Sequence, residues 1–128
     1  SVRPTMKASP SFLTHEWVKK EGDAFIVGLT DHAQHEMGEI VMAELPEAGS
    51  ELTMGDAAGG LEAVKTAEDF YAPMDGEVIE VNGELEGNPA LINESPYGEG
   101  WLFKMKASDD SQFDGLLSAD DYKAHIGE

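Results

Sequence analysis

The chain contains no cysteine among its 128 residues. This absence excludes a disulfide framework, a thiolate-ligated metal site and a thiol nucleophile. Long apolar runs are also lacking, because no segment approaches the 18 or so residues that a membrane-spanning helix requires. There is no Gly-x-Ser-x-Gly elbow, and the glycine-rich stretch "GDAAGG" lacks the lysine of a phosphate-binding loop. The sequence therefore predicts a soluble chain without these common catalytic motifs.

Basic residues are scarce. Eight Lys and Arg stand against 26 Asp and Glu, which gives a formal charge of −18 at pH 7. Such a surface repels phosphate backbones and anionic lipids, so nucleic acid and membranes are disfavoured as partners. A solvated acidic surface, an acidic mobile protein that docks on basic partners and a salt-adapted source all remain open.

Glycine and proline punctuate short alternating runs, a pattern typical of a mainly β sandwich or barrel in one domain spanning residues 1–128. "HEWVKK" and "AFIVGL" predict a hairpin, and "GGLEAVK" with the residues after it predicts two strands that meet near Lys65. "TDHAQHEM" predicts a short helix that ends at Gly38. Residues 1–11 are expected to form an N-terminal extension, and residues 108–128 two short helices capped by Ser108 and Ser118.

Lys65 is the only Lys or Arg between Lys20 and Lys104. A solvated surface lysine is the ordinary explanation. A nucleophilic or Schiff-base role is disfavoured, because the nearby acids Glu62, Glu68 and Asp69 keep the ammonium protonated. A third role is acceptor of a covalent group in amide linkage, which suits a lysine that projects from a rigid turn between small residues.

The residues around Lys65 resemble the lipoyl and biotinyl carriers. Glu62-Ala63-Val64-Lys65-Thr66 is followed by Pro73 and by Gly76-Glu77-Val78. The wider pattern is similar to the H-protein family of the glycine cleavage system over roughly residues 12–126. This pattern comprises the blocks "HEWV", "VGLTDHAQHEMGEIV", "AELPEAGSELTMGD", "YAPMDGEVIEVN" and "NPALINESPYGEGWLFKMK". "SPYGEGW" in particular does not occur in the other lipoyl or biotinyl carriers.

The resemblance implies a barrel-sandwich hybrid with a short internal helix, and it implies lipoate attached to Lys65. The chain would then be a monomeric shuttle and not an enzyme. It would take an aminomethyl group from glycine decarboxylase (P protein) to aminomethyltransferase (T protein), and electrons to dihydrolipoyl dehydrogenase (L protein). A lipoate ligase or a lipoyl/octanoyl transferase would attach the cofactor. The implied location is the bacterial cytoplasm, or the mitochondrial matrix in a eukaryote.

The resemblance also implies roles for residues near the acceptor. Contacts to the loaded arm are expected from Thr14, Glu16, Asp69, His32 and Glu36. The modifying enzyme is expected to recognise Glu62, Ala63, Val64 and Thr66. Two of these depart from the family pattern, since the family usually has Ser in place of Ala63 and Ala in place of Thr66.

Other functions remain open from the residues alone. A lipoate relay that serves 2-oxoacid dehydrogenases would use the same lysine. A small metal-dependent enzyme would use the helical spacing of His32, His35, Glu36 and Glu39. An unmodified binding module would follow if Lys65 is never acylated.

Overall fold

The computed structural model describes residues 7–11, 14–118, 121–122 and 124, and these fold mainly into β-strands, as the alternating runs predict. The strands are β1 (Lys7–Ser11), β2 (Thr14–Glu21), β3 (Ala24–Leu29), β4 (Ile40–Glu44), β5 (Glu51–Leu52), β6 (Ala57–Ala63), β7 (Ala67–Tyr71), β8 (Gly76–Val81), β9 (Phe103–Ala107) and β10 (Leu117–Ser118). The helices are α1 (Asp31–Met37), α2 (Glu84–Gly87), α3 (Leu91–Glu94) and α4 (Ser111–Asp114).

The described strands form two antiparallel sheets. The larger has the order β10-β1-β2-β3-β9-β8-β5, and the smaller has the order β4-β6-β7. The predicted hairpin of β2 and β3 is present, with Glu21 opposite Ala24 and with Gly22 at φ 64° in its turn. Phe70 of the small sheet stacks against Phe103 of the large sheet at a ring-centroid distance of 6.1 Å. The core therefore lies between the two sheets.

Helix α1 has the predicted start and end. The Thr30 hydroxyl caps the helix by accepting a hydrogen bond from the backbone N–H of Ala33 at 3.2 Å. Gly38 ends it with φ 82°, in the left-handed region that glycine adopts without steric cost. The side chains of Ala33 and Met37 are buried, so this short amphipathic helix covers one end of the core.

The chain ends differ from the sequence-based expectation. Residues 7–11 of the expected N-terminal extension form β1, which pairs with both β2 and β10. Of the two C-terminal helices, α4 is a single turn that begins after Asp110 and not after Ser108. Residues 121, 122 and 124 are helical, and the Ser118 hydroxyl accepts a hydrogen bond from Asp121 N, as its capping role predicts. Residues 119, 120, 123 and 125–128, on which the rest of this prediction falls, lie outside the described part.

The segment that contains "SPYGEGW" packs on the buried side chain of Trp17 in β2. The Trp17 indole N–H donates to the Pro96 carbonyl at 2.8 Å, and its ring lies 6.0 Å from that of Tyr97. The Tyr97 hydroxyl accepts a hydrogen bond from the N–H of Asp31, the first residue of α1. This segment therefore fixes the start of α1 relative to β2.

None of the described helices combines the length and the hydropathy needed to cross a membrane.

Candidate functional site

Lys65 lies in the tight turn between β6 and β7, with its side chain exposed. Across the turn, Ala63 N donates to Thr66 O at 2.7 Å, and Glu62 pairs with Ala67 immediately below it. The Thr66 hydroxyl donates to the Glu68 carboxylate at 3.2 Å. The prediction of two strands that meet near Lys65 is thus confirmed, and the lysine stands at the tip of a hairpin.

The tip is also tied to the rest of the molecule on one side. The N–H of Val64, next to the lysine, donates to the Glu39 carbonyl at 3.1 Å. Ile40, which follows Glu39, donates its N–H to the Asn93 side-chain oxygen at 2.8 Å. The Asn93 amide nitrogen donates in turn to Gln34 Oε1 and to the Gly38 carbonyl, each at 2.8 Å. The Asn93 side chain of α3 therefore joins α1 to β4, next to the Glu39 carbonyl that holds the lysine turn.

The residues expected to identify the tip to a modifying enzyme surround Lys65 as the hairpin requires. Glu62 and Val64 are exposed, whereas Ala63 and Thr66 are half-buried. Ala63 pairs with Ile40 of β4, and its small side chain packs against the core. Ala63 and Thr66 are small enough to leave access to the lysine amine.

Glu16 is buried in β2, and its carboxylate accepts a hydrogen bond from Tyr71 N at 3.3 Å. Tyr71 is the last residue of β7, the strand that leads away from Lys65. The structure thus brings Glu16 to the far end of the lysine hairpin, although the two residues are 49 positions apart in the sequence. A buried carboxylate at this place is an acceptor suited to a protonated amine.

Asp69 lies on β7 between Lys65 and Tyr71 and is exposed. Together with Met42, Glu44 and Glu62 it lines a depression of 160 Å³ on the small sheet. Gly60 forms part of its floor, and a Cβ placed there would lie 3.6 Å from an Asp69 carboxylate oxygen and 3.9 Å from one of Glu44. The depression is therefore acidic and open above the glycine.

His32, in the first turn of α1, stacks on His15 with ring centroids 5.3 Å apart. His15 precedes Glu16 in β2, so His32 borders the strand that carries the buried carboxylate. Glu36 is exposed one helical turn further along α1. Thr14 is the first residue of β2, but its side chain lies outside the described part of the structure.

The structure gives no support to the metal-dependent alternative. The described residues bring no three metal-binding side chains together, and this includes His32, His35, Glu36 and Glu39. His35 and Glu36 are exposed, and Gly38 ends the helix before Glu39. The helical spacing seen in the sequence therefore does not gather a set of metal ligands in the part of the chain that the structure describes.

Two side chains near the site were not anticipated. The role of Asn93 could not be predicted, because its three partners are 53 to 59 residues distant. Tyr122 is buried, and its hydroxyl is hydrogen-bonded to His15 Nδ1 and to the Thr30 hydroxyl, both at 2.8 Å. Neither residue carries a local sequence signal, since both act through contacts between distant segments.

An exposed lysine at a hairpin tip, on two packed antiparallel sheets with few helices, defines a carrier protein of the barrel-sandwich type. A crystal structure of a glycine cleavage system H protein from Mycobacterium marinum superposes with a TM-score of 0.88, at 30% identity, over 99% of this chain and 100% of that one. The predicted barrel-sandwich fold is thereby confirmed.

Sequence comparison gives the family. The family model described as glycine cleavage H-protein matches residues 12–128. The glycine cleavage system H protein of Staphylococcus haemolyticus is 53% identical over 114 residues, which are 89% of this chain and 90% of the relative. That of Acinetobacter baumannii strain ATCC 17978 is 51% identical over 113 residues, which are 88% of this chain and 91% of the relative. The chain belongs to the glycine cleavage H-protein family, whose members are carrier components of that system.

Proposed function

We propose that Lys65 carries lipoate in amide linkage and that the chain is the lipoyl-bearing shuttle of glycine cleavage. The observation that carries this proposal is the exposed side chain of Lys65 at the hairpin tip. Membership of the H-protein family supports the assignment. The scarcity of other cations nearby supports it further, because no Lys or Arg other than Lys65 occurs between residues 20 and 104.

The residues around the hairpin tip are compatible with a lipoyl group on Lys65. The lysine amine is accessible, and the turn that presents it is held by hydrogen bonds at Ala63 and Val64. A rigid support of this kind is what a modifying enzyme needs to position an amine for acylation. When bound, lipoate supplies a dithiolane that accepts the aminomethyl group and carries two electrons, while the protein supplies position and access.

Residues on and beside β7 can contact the loaded lipoyl arm. Asp69 lies four residues from Lys65, about 13 Å of extended strand. A lysine stem with an acyl chain has a similar length, roughly a dozen ångströms from standard bond lengths. In this proposal Asp69 accepts a hydrogen bond from the protonated amine that the arm carries, and Glu16, bonded to Tyr71 two residues further along β7, is the acceptor for the arm in its most extended form. Thr14, His32 and Glu36 are the further arm contacts.

Three enzymes are the proposed partners: glycine decarboxylase, aminomethyltransferase and dihydrolipoyl dehydrogenase. The formal charge of −18 favours docking on basic surfaces and accelerates encounters with them. The chain supplies no catalytic group in this scheme. The proposed setting is the cytoplasm of a bacterium, with the chain as a monomer that binds its partners transiently.

The test is exchange of labelled bicarbonate into glycine by the lipoylated chain together with glycine decarboxylase. We expect label in glycine with the unsubstituted chain and none with Lys65→Arg, which keeps the charge but removes the acceptor. His35→Ala, a change at an exposed residue of α1, should retain exchange. A lipoylated chain that supports no exchange would contradict the shuttle and would leave lipoate relay as the function.

A further inference from the structure

Three exposed apolar side chains belong to the lysine turn and to β4, the strand paired beside it. Among the described residues, five large hydrophobic side chains are exposed, and three of them are Val41 (49% exposed), Met42 (54%) and Val64 (69%). Val64 adjoins Lys65, and its N–H bonds to Glu39 just before β4, the strand that contains Val41 and Met42. We refer to Val41, Met42 and Val64 as the tip surface.

A β-bulge produces this exposure. Ile40 pairs with Ala63 and Met42 pairs with Glu62, so Val41 is an extra residue in β4. In a regular strand, consecutive side chains alternate between the faces, and either Val41 or Met42 would turn inward. Here Ile40 is buried and Val41 and Met42 both face solvent. Bulges often redirect side chains next to functional sites.

Carboxylates border the tip surface. Glu39, Glu44 and Glu62 are exposed on the same strands or immediately beside them. Lys65 is the only Lys or Arg between residues 20 and 104, and an amide on its nitrogen removes that charge. A complementary partner therefore offers an apolar recess with Lys and Arg around it.

We propose that the tip surface docks the enzyme that acylates Lys65, through such a recess. The proposal rests on the proposed function and names the partner of its acceptor site. An acylating enzyme must bring an activated carbonyl to about 3–3.5 Å from the lysine nitrogen, so it covers the side chains next to Lys65. Enzymes that act on the end of the arm work roughly a dozen ångströms further out.

The reaction balances as an acyl transfer. With lipoate and ATP, a lipoate ligase forms the acyl adenylate: the lipoate carboxylate attacks the α-phosphorus of ATP, and pyrophosphate leaves. The lysine amine attacks the acyl carbon, the new C–N bond forms, the acyl–phosphate oxygen bond breaks, and AMP leaves. The proton lost from the ammonium passes to solvent. The surrounding residues of this chain supply docking only.

The test measures acylation of the unlipoylated chain by a lipoate ligase with lipoate and ATP, followed by intact mass. The variants are Met42→Gln, Val41→Thr and Val64→Thr. Matched controls are Met54→Gln and Ile79→Thr, because both residues are 45% exposed. Met54 precedes β6 while Lys65 follows it, roughly 20 Å away along the strand, and Ile79 lies in β8 of the other sheet.

We expect the double variant Val41→Thr/Met42→Gln to lower kcat/KM by at least about tenfold, mainly through KM, since it removes apolar burial from the complex. Val64→Thr should act in the same direction. The controls should stay within about twofold. For the unsubstituted chain, kcat/KM should also fall as NaCl rises, because salt screens the attraction between the acidic border and the basic partner.

Equal acylation of tip-surface variants and controls would overturn the proposal. So would unchanged acylation together with a loss of glycine exchange by the fully lipoylated double variant, because the partner on this surface would then be the decarboxylase. Absence of acylation in the unsubstituted chain and in the controls would contradict the proposed function itself, so the two failures are distinguishable.

Discussion

Lys65 and Glu16 are the two residues on which the proposed chemistry depends most. The first is exposed at the hairpin tip and the second is buried below the end of the same hairpin. An exposed amine can be acylated without displacing other groups. A buried carboxylate, in contrast, offers a charge-assisted hydrogen bond that water weakens less than it would on the surface.

Glu16→Gln tests the role of the carboxylate charge. Glutamine retains an oxygen for the Tyr71 N–H, so the free energy of unfolding should change by no more than about 1 kcal/mol. Glycine exchange by the lipoylated variant should fall by about tenfold, because a neutral acceptor holds an ammonium less strongly. Glu84→Gln, an exposed change in the remote helix α2, is the control. Equal exchange by both variants would remove Glu16 from the arm site.

The adjacent glycines of the lysine hairpin have different packing. A Cβ at Gly59 would overlap the Glu44 carbonyl oxygen and the Phe70 ring, whereas a Cβ at Gly60 meets nothing closer than 3.6 Å. Gly59→Ala should therefore lower the free energy of unfolding by roughly 1–3 kcal/mol. Gly60→Ala should change it by less than about 1 kcal/mol. Urea denaturation measures both, and equal losses would show that the difference in packing does not matter.

At the scale of elements, the sequence predicted those features that depend on neighbouring residues. Helix α1 was predictable because Thr30 and Gly38 supply both of its ends, and the lysine hairpin because alternating residues flank a short turn. Helix α2 was missed, since its N-cap is Gly83, which has no capping side chain. The pairing of β1 with β10 was missed because it joins segments about 110 residues apart.

The candidate site also combines features that neighbouring residues determine with contacts between distant segments. Lys65 and its turn follow from local pattern, but the contact of Glu16 with Tyr71 arises only when β2 and β7 come together in the fold. The bulge that exposes Val41 and Met42 is equally invisible in the sequence, where "EIVMAEL" gives a plain apolar strand. Register irregularities depend on the partner strand, so the sequence of one strand alone does not indicate them.

Asn93 links three elements behind the lysine turn, and its removal tests that linkage. Asn93→Ala deletes three hydrogen bonds and should lower the free energy of unfolding by about 2–3 kcal/mol. Amide hydrogen exchange at Val64 should become faster, because the Glu39 carbonyl that holds it loses its support. Asn88→Ala, an exposed change at the end of α2, is the control. Unchanged exchange at Val64 would show that the tip is held independently of Asn93.

At the scale of the whole molecule, the dominant property is the charge of −18. Repulsion among 26 acidic residues opposes the compact state, and salt screens it. The urea midpoint should therefore rise between about 10 mM and 0.5 M NaCl, where the Debye length falls from about 30 Å to only a few ångströms. A midpoint that is flat or decreasing over this range would show that opposite-charge pairs outweigh the repulsion.

The most direct test of the account is the mass of the chain purified from the organism that produces it, together with a peptide map. The account predicts a single lipoyl adduct on the peptide that contains Lys65, and no adduct when Lys65→Arg is expressed in its place. An unmodified pool, or an adduct on a different lysine such as Lys104 or Lys106, would contradict it.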